Sequence, residues 1–298
     1  MYEVTPQNRP AVPARRRVES GKTGDMRPAV RYKQGMKPAR LLPSRPRAAM
    51  LLAACLSVLA PGSAGAANLQ VIDSTQAPWP SIGRVNVAGY RTTSMCTGTL
   101  IAPTIVLTAA HCLYDSRTLK PFPPDRLLFI AGVRRNEYAA RLETACFLTA
   151  EGFVPSKDVS LDDIRKDVGI LILKEASSLA PVPPLAARQA VHIGKDTRFR
   201  SVGYRRSRRY LPTVVPACRI LGSPRGIWIT DCSAESGVSG GPLLIETQDG
   251  PRVAGVTSAR IDADRSAIVP FSNWQALLEN PSCRQSAPAA KPPAITGQ

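Results

Sequence analysis

Only two histidines, His111 and His192, are available in this chain for proton transfer by imidazole. His111 closes the apolar run VLTAAHC beside a cysteine, whereas His192 stands in QAVHIGKD with no reactive neighbour and reads as structural. Downstream of both, Ser239 lies in ESGVSGGPLL, where flanking glycines allow a tight turn that gathers backbone N–H groups beside its hydroxyl. A serine hydroxyl attacks a carbonyl once a neighbouring base takes its proton, and the carbonyl oxygen needs donors as negative charge builds on it. His111 is the candidate base, and the N–H groups of Gly237 and Ser239 are the candidate oxyanion donors.

Chain order narrows the geometry. Gly237-Val238-Ser239-Gly240-Gly241 fits the G-x-S-x-G elbow of α/β-hydrolases, but that arrangement needs a histidine after the serine, and none follows residue 192. The order that fits is His, Asp, Ser. Asp115, Asp125, Asp158, Asp162, Asp163, Asp167, Asp196 and Asp231 all lie between His111 and Ser239. Asp167 is the choice among them. It stands directly before the apolar run VGILIL, so a buried strand would hold its carboxylate beside the imidazole and fix the tautomer.

The elements that must position these groups read as strands. From about residue 79, short runs rich in β-branched residues, such as IGRVNVAG, TGTLIAPTIVLTAA, VGILIL, GIWITDC and RVAGVTSA, are split by Pro, Gly and polar turns. That texture is the all-β signature of sandwiches and barrels. The one stretch with helical period is PFSNWQALLEN, which predicts a C-terminal helix with Phe271, Trp274, Leu277 and Leu278 on one packing face.

Three strings, CTGTLIAPTIVLTAAHC, RKDVGILIL and GVSGGPL, together resemble the trypsin-like serine proteases of the chymotrypsin family, over about residues 79–283. The resemblance implies two antiparallel Greek-key β-barrels, one over about 79–180 and one over about 190–283, with the site in the cleft between them. It implies His111 as general base, Asp167 as its orienter and Ser239 as the acylated nucleophile of an endopeptidase. It makes Ser258 the hydroxyl that supports the buried Asp and begins the substrate-binding edge strand. It also pairs Cys96 with Cys112. Cys218 and Cys232, 14 apart and bracketing two strands, look like a second bridge, which leaves Cys146 for Cys283.

Two departures from the family pattern agree with each other. The residue before the serine is Val238 where these enzymes usually carry Asp, and the expected mature start, NLQVIDSTQAPWPSIGRV, has no I-V-G-G segment to free an amine that would pair with that Asp. Losing one partner would leave a buried charge unpaired, whereas losing both leaves an apolar contact. In both features, and in Cys232 seven residues before Ser239, the chain resembles the bacterial glutamyl-endopeptidase-type branch more than trypsin. Ser233 and Ala234, with Glu235 and Ser236, are the expected wall of the specificity pocket, with Thr257, Ser258 and Arg260 along the edge strand. No carboxylate stands at Ser233, and Thr257 replaces the histidine that reads acidic side chains in glutamyl endopeptidases. The expectation is a small or polar residue before the scissile bond.

The ends of the chain carry different information. Residues 1–35 are Arg- and Pro-rich with no apolar period, and read as a disordered basic arm or as sequence upstream of a true start at Met36. Residues 36–67 read as a signal peptide, with basic flanks, an apolar run from Ala48 to Ala60 and small residues after it. Leu52-Ala53-Ala54-Cys55 also resembles a lipoprotein cleavage box, although the apolar run continues past Cys55. Residues 68–283 are the protease-like domain and 284–298 a Pro- and Ala-rich disordered tail. Residues 1–50 contribute +9 of the net +17, so the remainder carries +8, too little to demand a nucleic-acid partner. The cluster YRRSRRY at 204–210 predicts an exposed loop, suited to an acidic polysaccharide, membrane headgroups or an acidic substrate. Six cysteines beyond Cys55, none spaced C-x-x-C, favour disulfides behind an export signal over a metal site. The expected protein is a secreted or periplasmic bacterial monomer that takes protein or peptide substrates and needs no cofactor or metal. Its rival is a secreted non-enzymatic binding protein that uses the basic surface of the same fold.

Overall fold

The computed structural model describes residues 2–3, 69–89, 92, 94–186, 193–194 and 196–283. The expected leader, the tail, His192 and all of the basic arm except residues 2 and 3 lie outside the described residues. Two short strands come first, β1 (Tyr2–Glu3) and β2 (Gln70–Val71).

Six strands then close a barrel: β3 (Ile82–Val87), β4 (Met95–Ala102), β5 (Ile105–Thr108), β6 (Leu127–Ala131), β7 (Ala140–Thr149) and β8 (Gly169–Leu173). Their order around the barrel is β3-β4-β5-β8-β7-β6. Side chains alternate across a strand, so Val85 and Val87, Leu127, Phe129 and Ala131, and Leu171 and Leu173 fill one interior. The intervening Ile82, Leu128, Ile130 and Ile170 are buried as well, because the outer face of this barrel packs against further chain.

The second half is a curled sheet of β9 (Phe199–Tyr204), β10 (Pro212–Cys218), β11 (Ile220–Gly222), β12 (Trp228–Thr230), β13 (Pro242–Thr247), β14 (Gly250–Arg260) and β15 (Ser266–Pro270). Its order is β11-β12-β15-β14-β13-β9-β10-β2, so it corrects the expectation of a second closed barrel. The outer edge of β10 is taken by β2, through Thr213 with Val71 and Val214 with Gln70. The chain then turns at Arg219 and pairs β11 with β12 instead of returning to β10. The Cys218–Cys232 disulfide ties the end of β10 to the residues just after β12.

The predicted C-terminal helix is also corrected. Residues 271–273 and 275–278 form two 3-10 turns, broken at Trp274, whose φ of −135° and ψ of 5° are not helical. Trp274 is buried edge-on against Phe271, and with Leu277 and Leu278 it packs on the core, so the apolar stripe is satisfied without a helix. The only α-helical turn among the described residues is α1 (Leu161–Ile164), closed by a capping box of Ser160 and Asp163.

Candidate active site

A single strand pairing brings the first two candidates together. Thr108 at the end of β5 pairs with Gly169 at the start of β8. The chain leaving β5 runs into a 3-10 turn holding His111, and the chain entering β8 arrives through Asp167. Asp167 Oδ2 lies 2.7 Å from His111 Nδ1, and Oδ1 accepts the His111 backbone N–H at 2.8 Å. From the other half of the molecule, the Ser258 hydroxyl donates to the same Oδ2 at 2.5 Å. The carboxylate is fully buried. Burial alone pushes its pKa up, but the charge of His111 and the hydrogen bonds from His111 and Ser258 outweigh that and hold it below the ordinary aspartate value.

Ser239 stands on the turn that leads into β13 and is buried, its hydroxyl hydrogen-bonded to no group among the described residues. It shares a cavity of about 310 Å³ with His111, whose Nε2 lies 3.7 Å from Cys112 Sγ. The glycines beside it are required by geometry. Gly237 has a φ of 99°, and a Cβ there would lie 2.4 Å from the Tyr204 carbonyl oxygen. Gly240 has a φ of 80°, and a Cβ would lie 2.1 Å from Thr108 Oγ1.

The loop before Ser239 is pinned peptide by peptide. The Ser236 carbonyl accepts from Arg206 N, the Gly237 carbonyl from Thr97 Oγ1 and the Val238 carbonyl from Gly241 N. In a trans peptide, C=O and N–H point in opposite directions. Holding the Ser236 and Val238 carbonyls therefore aims the Gly237 and Ser239 N–H groups away from those donors, and neither N–H bonds a protein group among the described residues. Thr97 does more than its hydroxyl bond: its N–H donates to the Ser239 carbonyl at 2.8 Å, and its hydroxyl accepts from Tyr204 N at 2.9 Å. Arg205, buried, donates from Nη2 to the Ser233 carbonyl at 2.7 Å, and the Ser207 N–H and hydroxyl both donate to Glu235 Oε1 at 2.8 Å.

A family model described as Trypsin matches residues 71–273, more than half of the chain. The chain belongs to the trypsin family. Members of that family are serine-type peptidases acting on protein or peptide substrates, and the closed barrel, the curled second sheet and few helices fit the chymotrypsin fold. Three disulfides, Cys96–Cys112, Cys146–Cys283 and Cys218–Cys232, tie this trypsin-family domain together and fit an oxidising compartment. Cys96, His111 and Cys112 cluster closely enough to suggest a metal site, but the two sulfurs are bonded to each other at 2.03 Å and offer no thiolate. No helix among the described residues is long and apolar enough to cross a membrane.

The remaining expected residues fall in several places. Thr257 and Ser258 are fully buried, Thr257 through backbone bonds to Gly240 and Gly241 and Ser258 through Asp167. Ala234 is buried, and Ser233 is bound by Arg205 through both its carbonyl and, at 3.4 Å, its hydroxyl. Arg260 is partly exposed at the end of β14, where β1 pairs in parallel, Tyr2 with Ala259 and Glu3 with Arg260. None of Ser233, Ala234, Thr257, Ser258 and Arg260 lines the cavity shared by His111 and Ser239. Val238 is buried over Gly203, where an added Cβ would sit 3.1 Å from Val238 Cγ1. The expectation of an exposed loop at 204–210 is corrected: only Arg206–Arg208 are exposed, while Tyr204 ends β9 and is buried with Arg205. Thr97 escaped sequence reading, since an ordinary threonine carries no local mark of contacts with a loop so distant in the chain.

Proposed function

We propose that this trypsin-family protein is an exported serine endopeptidase, and that the observation carrying this reading is the buried Asp167 carboxylate locked onto His111 by two bonds and onto Ser258 by a third. In this reading His111 Nε2 takes the Ser239 proton as Oγ attacks the scissile carbonyl. The Gly237 and Ser239 N–H groups bind the oxyanion. Asp167 keeps Nδ1 protonated and stabilises the imidazolium. His111 then gives the proton to the leaving amine, and water, deprotonated by the same imidazole, releases the acyl group from Ser239. In this reading the Ser239 hydroxyl and His111 Nε2 come into hydrogen-bond contact when substrate enters, as catalytic pairs commonly do.

On the acyl side, the reading extends to a small or polar residue before the scissile bond. Arg205 beside Ser233 puts a guanidinium where a carboxylate would be needed to read Lys or Arg. The edge of β14 near Arg260, which β1 occupies in this structure, accepts an extended backbone and so suits a peptide. Val238 supports activation without a buried amine, as in the bacterial glutamyl-endopeptidase-type branch, because Thr97, Arg205 and Arg206 already hold the loop.

Reaction of the purified protein with a fluorophosphonate probe tests the proposal. Labelling of wild type and none of Ser239→Ala is the expected result. Wild type labelled no better than Ser239→Ala while folded would return the protein to the non-enzymatic binding reading.

A further inference from the structure

The cavity shared by His111 and Ser239 is also lined by Arg206 and Arg209. Neither arginine makes an ion pair among the described residues. The one carboxylate in the lining, Asp115, is already occupied by its own turn: Oδ1 accepts from Arg117 N, Thr118 N and Thr118 Oγ1. Val85, Val87 and Phe122 supply apolar wall. A site of this kind, an apolar wall with two guanidiniums against the single Asp115 carboxylate, suits a side chain with a short hydrocarbon stem and a carboxylate, because Arg binds carboxylates through paired donors.

The position of the cavity says which half of a peptide enters it. The edge of β14 at residues 259–260 does not line it, and that edge is where an extended backbone adds. A peptide crossing Ser239 with one half along β14 must direct its other half toward His111, Cys112 and this cavity. The leaving amine also needs to be near His111, which protonates it.

Resting on the protease reading above, we infer that Arg206 and Arg209 form a leaving-group subsite that selects peptides with Glu or Asp in the first two positions after the scissile bond. The basic cluster at 204–210 is then divided by role: the side chains of Arg206 and Arg209 read substrate, while Arg205 is turned inward to Ser233.

Matched internally quenched peptides, identical except for Glu, Gln or Lys in those two positions, test the inference. For wild type, kcat/KM for the Glu peptide should exceed that for the Gln peptide by about tenfold or more, the range expected for a charged hydrogen-bonded contact, and the excess should shrink in high salt. The Arg206→Gln/Arg209→Gln variant should bring the ratio near unity. Arg206→Glu/Arg209→Glu should turn the preference toward the Lys peptide, a gain that misfolding cannot produce. A wild type that reacts with the fluorophosphonate and cleaves the three peptides equally overturns this inference alone, as does a ratio unchanged in the Gln double variant. A wild type that neither labels nor cleaves overturns the protease reading together with it.

Discussion

The Thr97 hydroxyl donates to the Gly237 carbonyl at 2.7 Å, joining strand β4 of the closed barrel to the loop before Ser239 across 140 residues of chain. The same oxygen accepts from Tyr204 N, and the Thr97 N–H holds the Ser239 carbonyl. One buried side chain therefore fixes the peptide between the two proposed oxyanion donors. It does so in a chain whose Val238 cannot form the ion pair that usually orders this loop in the family.

Replacing Thr97 by Val keeps the shape and removes the hydroxyl, leaving the Gly237 carbonyl and Tyr204 N–H unpaired. Stability should fall by about 1–3 kcal/mol, the usual cost of orphaned buried polar groups. The rate of fluorophosphonate labelling should fall by about 10-fold to 1,000-fold, as for loss of one oxyanion contact. Thr97→Ser should restore most of both. Thermal unfolding and labelling kinetics of the pair check this; a Val variant as reactive as wild type would remove Thr97 from the oxyanion loop's support.

Asp167→Asn keeps the size of the side chain but allows the wrong imidazole tautomer, so kcat should drop by about 10⁴-fold with the fold intact. The acid limb of stability reports the same group. Its folded pKa lies below the ordinary value of 3.8, so its ionised form stabilises the protein above that value, and the contribution is lost as pH falls below it. Urea unfolding at a series of pH values should show wild type losing stability more steeply than Asp167→Asn on the acid side of pH 3.8. Parallel curves would argue against a stabilised carboxylate.

Val238→Asp should destabilise rather than repair the site. The side chain is buried over Gly203, and a carboxylate there would have no amine to meet, at a cost of about 3–5 kcal/mol if it stays ionised. For the same reason, adding residues ahead of Asn68 should leave peptide cleavage rates within about twofold of the untagged protein, since Val238 offers no carboxylate for a terminal amine to pair with. Dependence on one newly cut N-terminus would contradict this.

The three disulfides should differ in weight. Cys146–Cys283 closes a separation of 137 residues, against 16 for Cys96–Cys112 and 14 for Cys218–Cys232. Loop-closure entropy then predicts a loss of about 4–5 kcal/mol for Cys146→Ser/Cys283→Ser and about 3 kcal/mol for either shorter bridge. Equilibrium denaturation of the three double variants measures the order.

How much of this was legible beforehand depended on range. The meeting of Asp167 with His111 could be read because each residue abuts an apolar run, and two such runs that pair as strands carry their ends together. The need for Gly237 and Gly240 could be read because positive φ is a property of single residues. The helical stripe around Trp274 was misleading. Periodicity reports which side chains are buried, and Trp274 found burial through two 3-10 turns that a helix did not need to supply.

By itself, then, the sequence determined the reactive residue types, their order along the chain, the glycines around Ser239 and the apolar strands that would bury an aspartate. These depend on local backbone sterics and side-chain alternation, which act over a few residues. Only the tertiary structure decided that Thr97 would hold the oxyanion loop, that Arg205 would turn inward while Arg206 and Arg209 line the cavity of Ser239, and that β2 would occupy the edge that closure of the second barrel requires. Those contacts join segments roughly 30 to 140 residues apart, and their partners are chosen by packing of the two sheets, which no local pattern records.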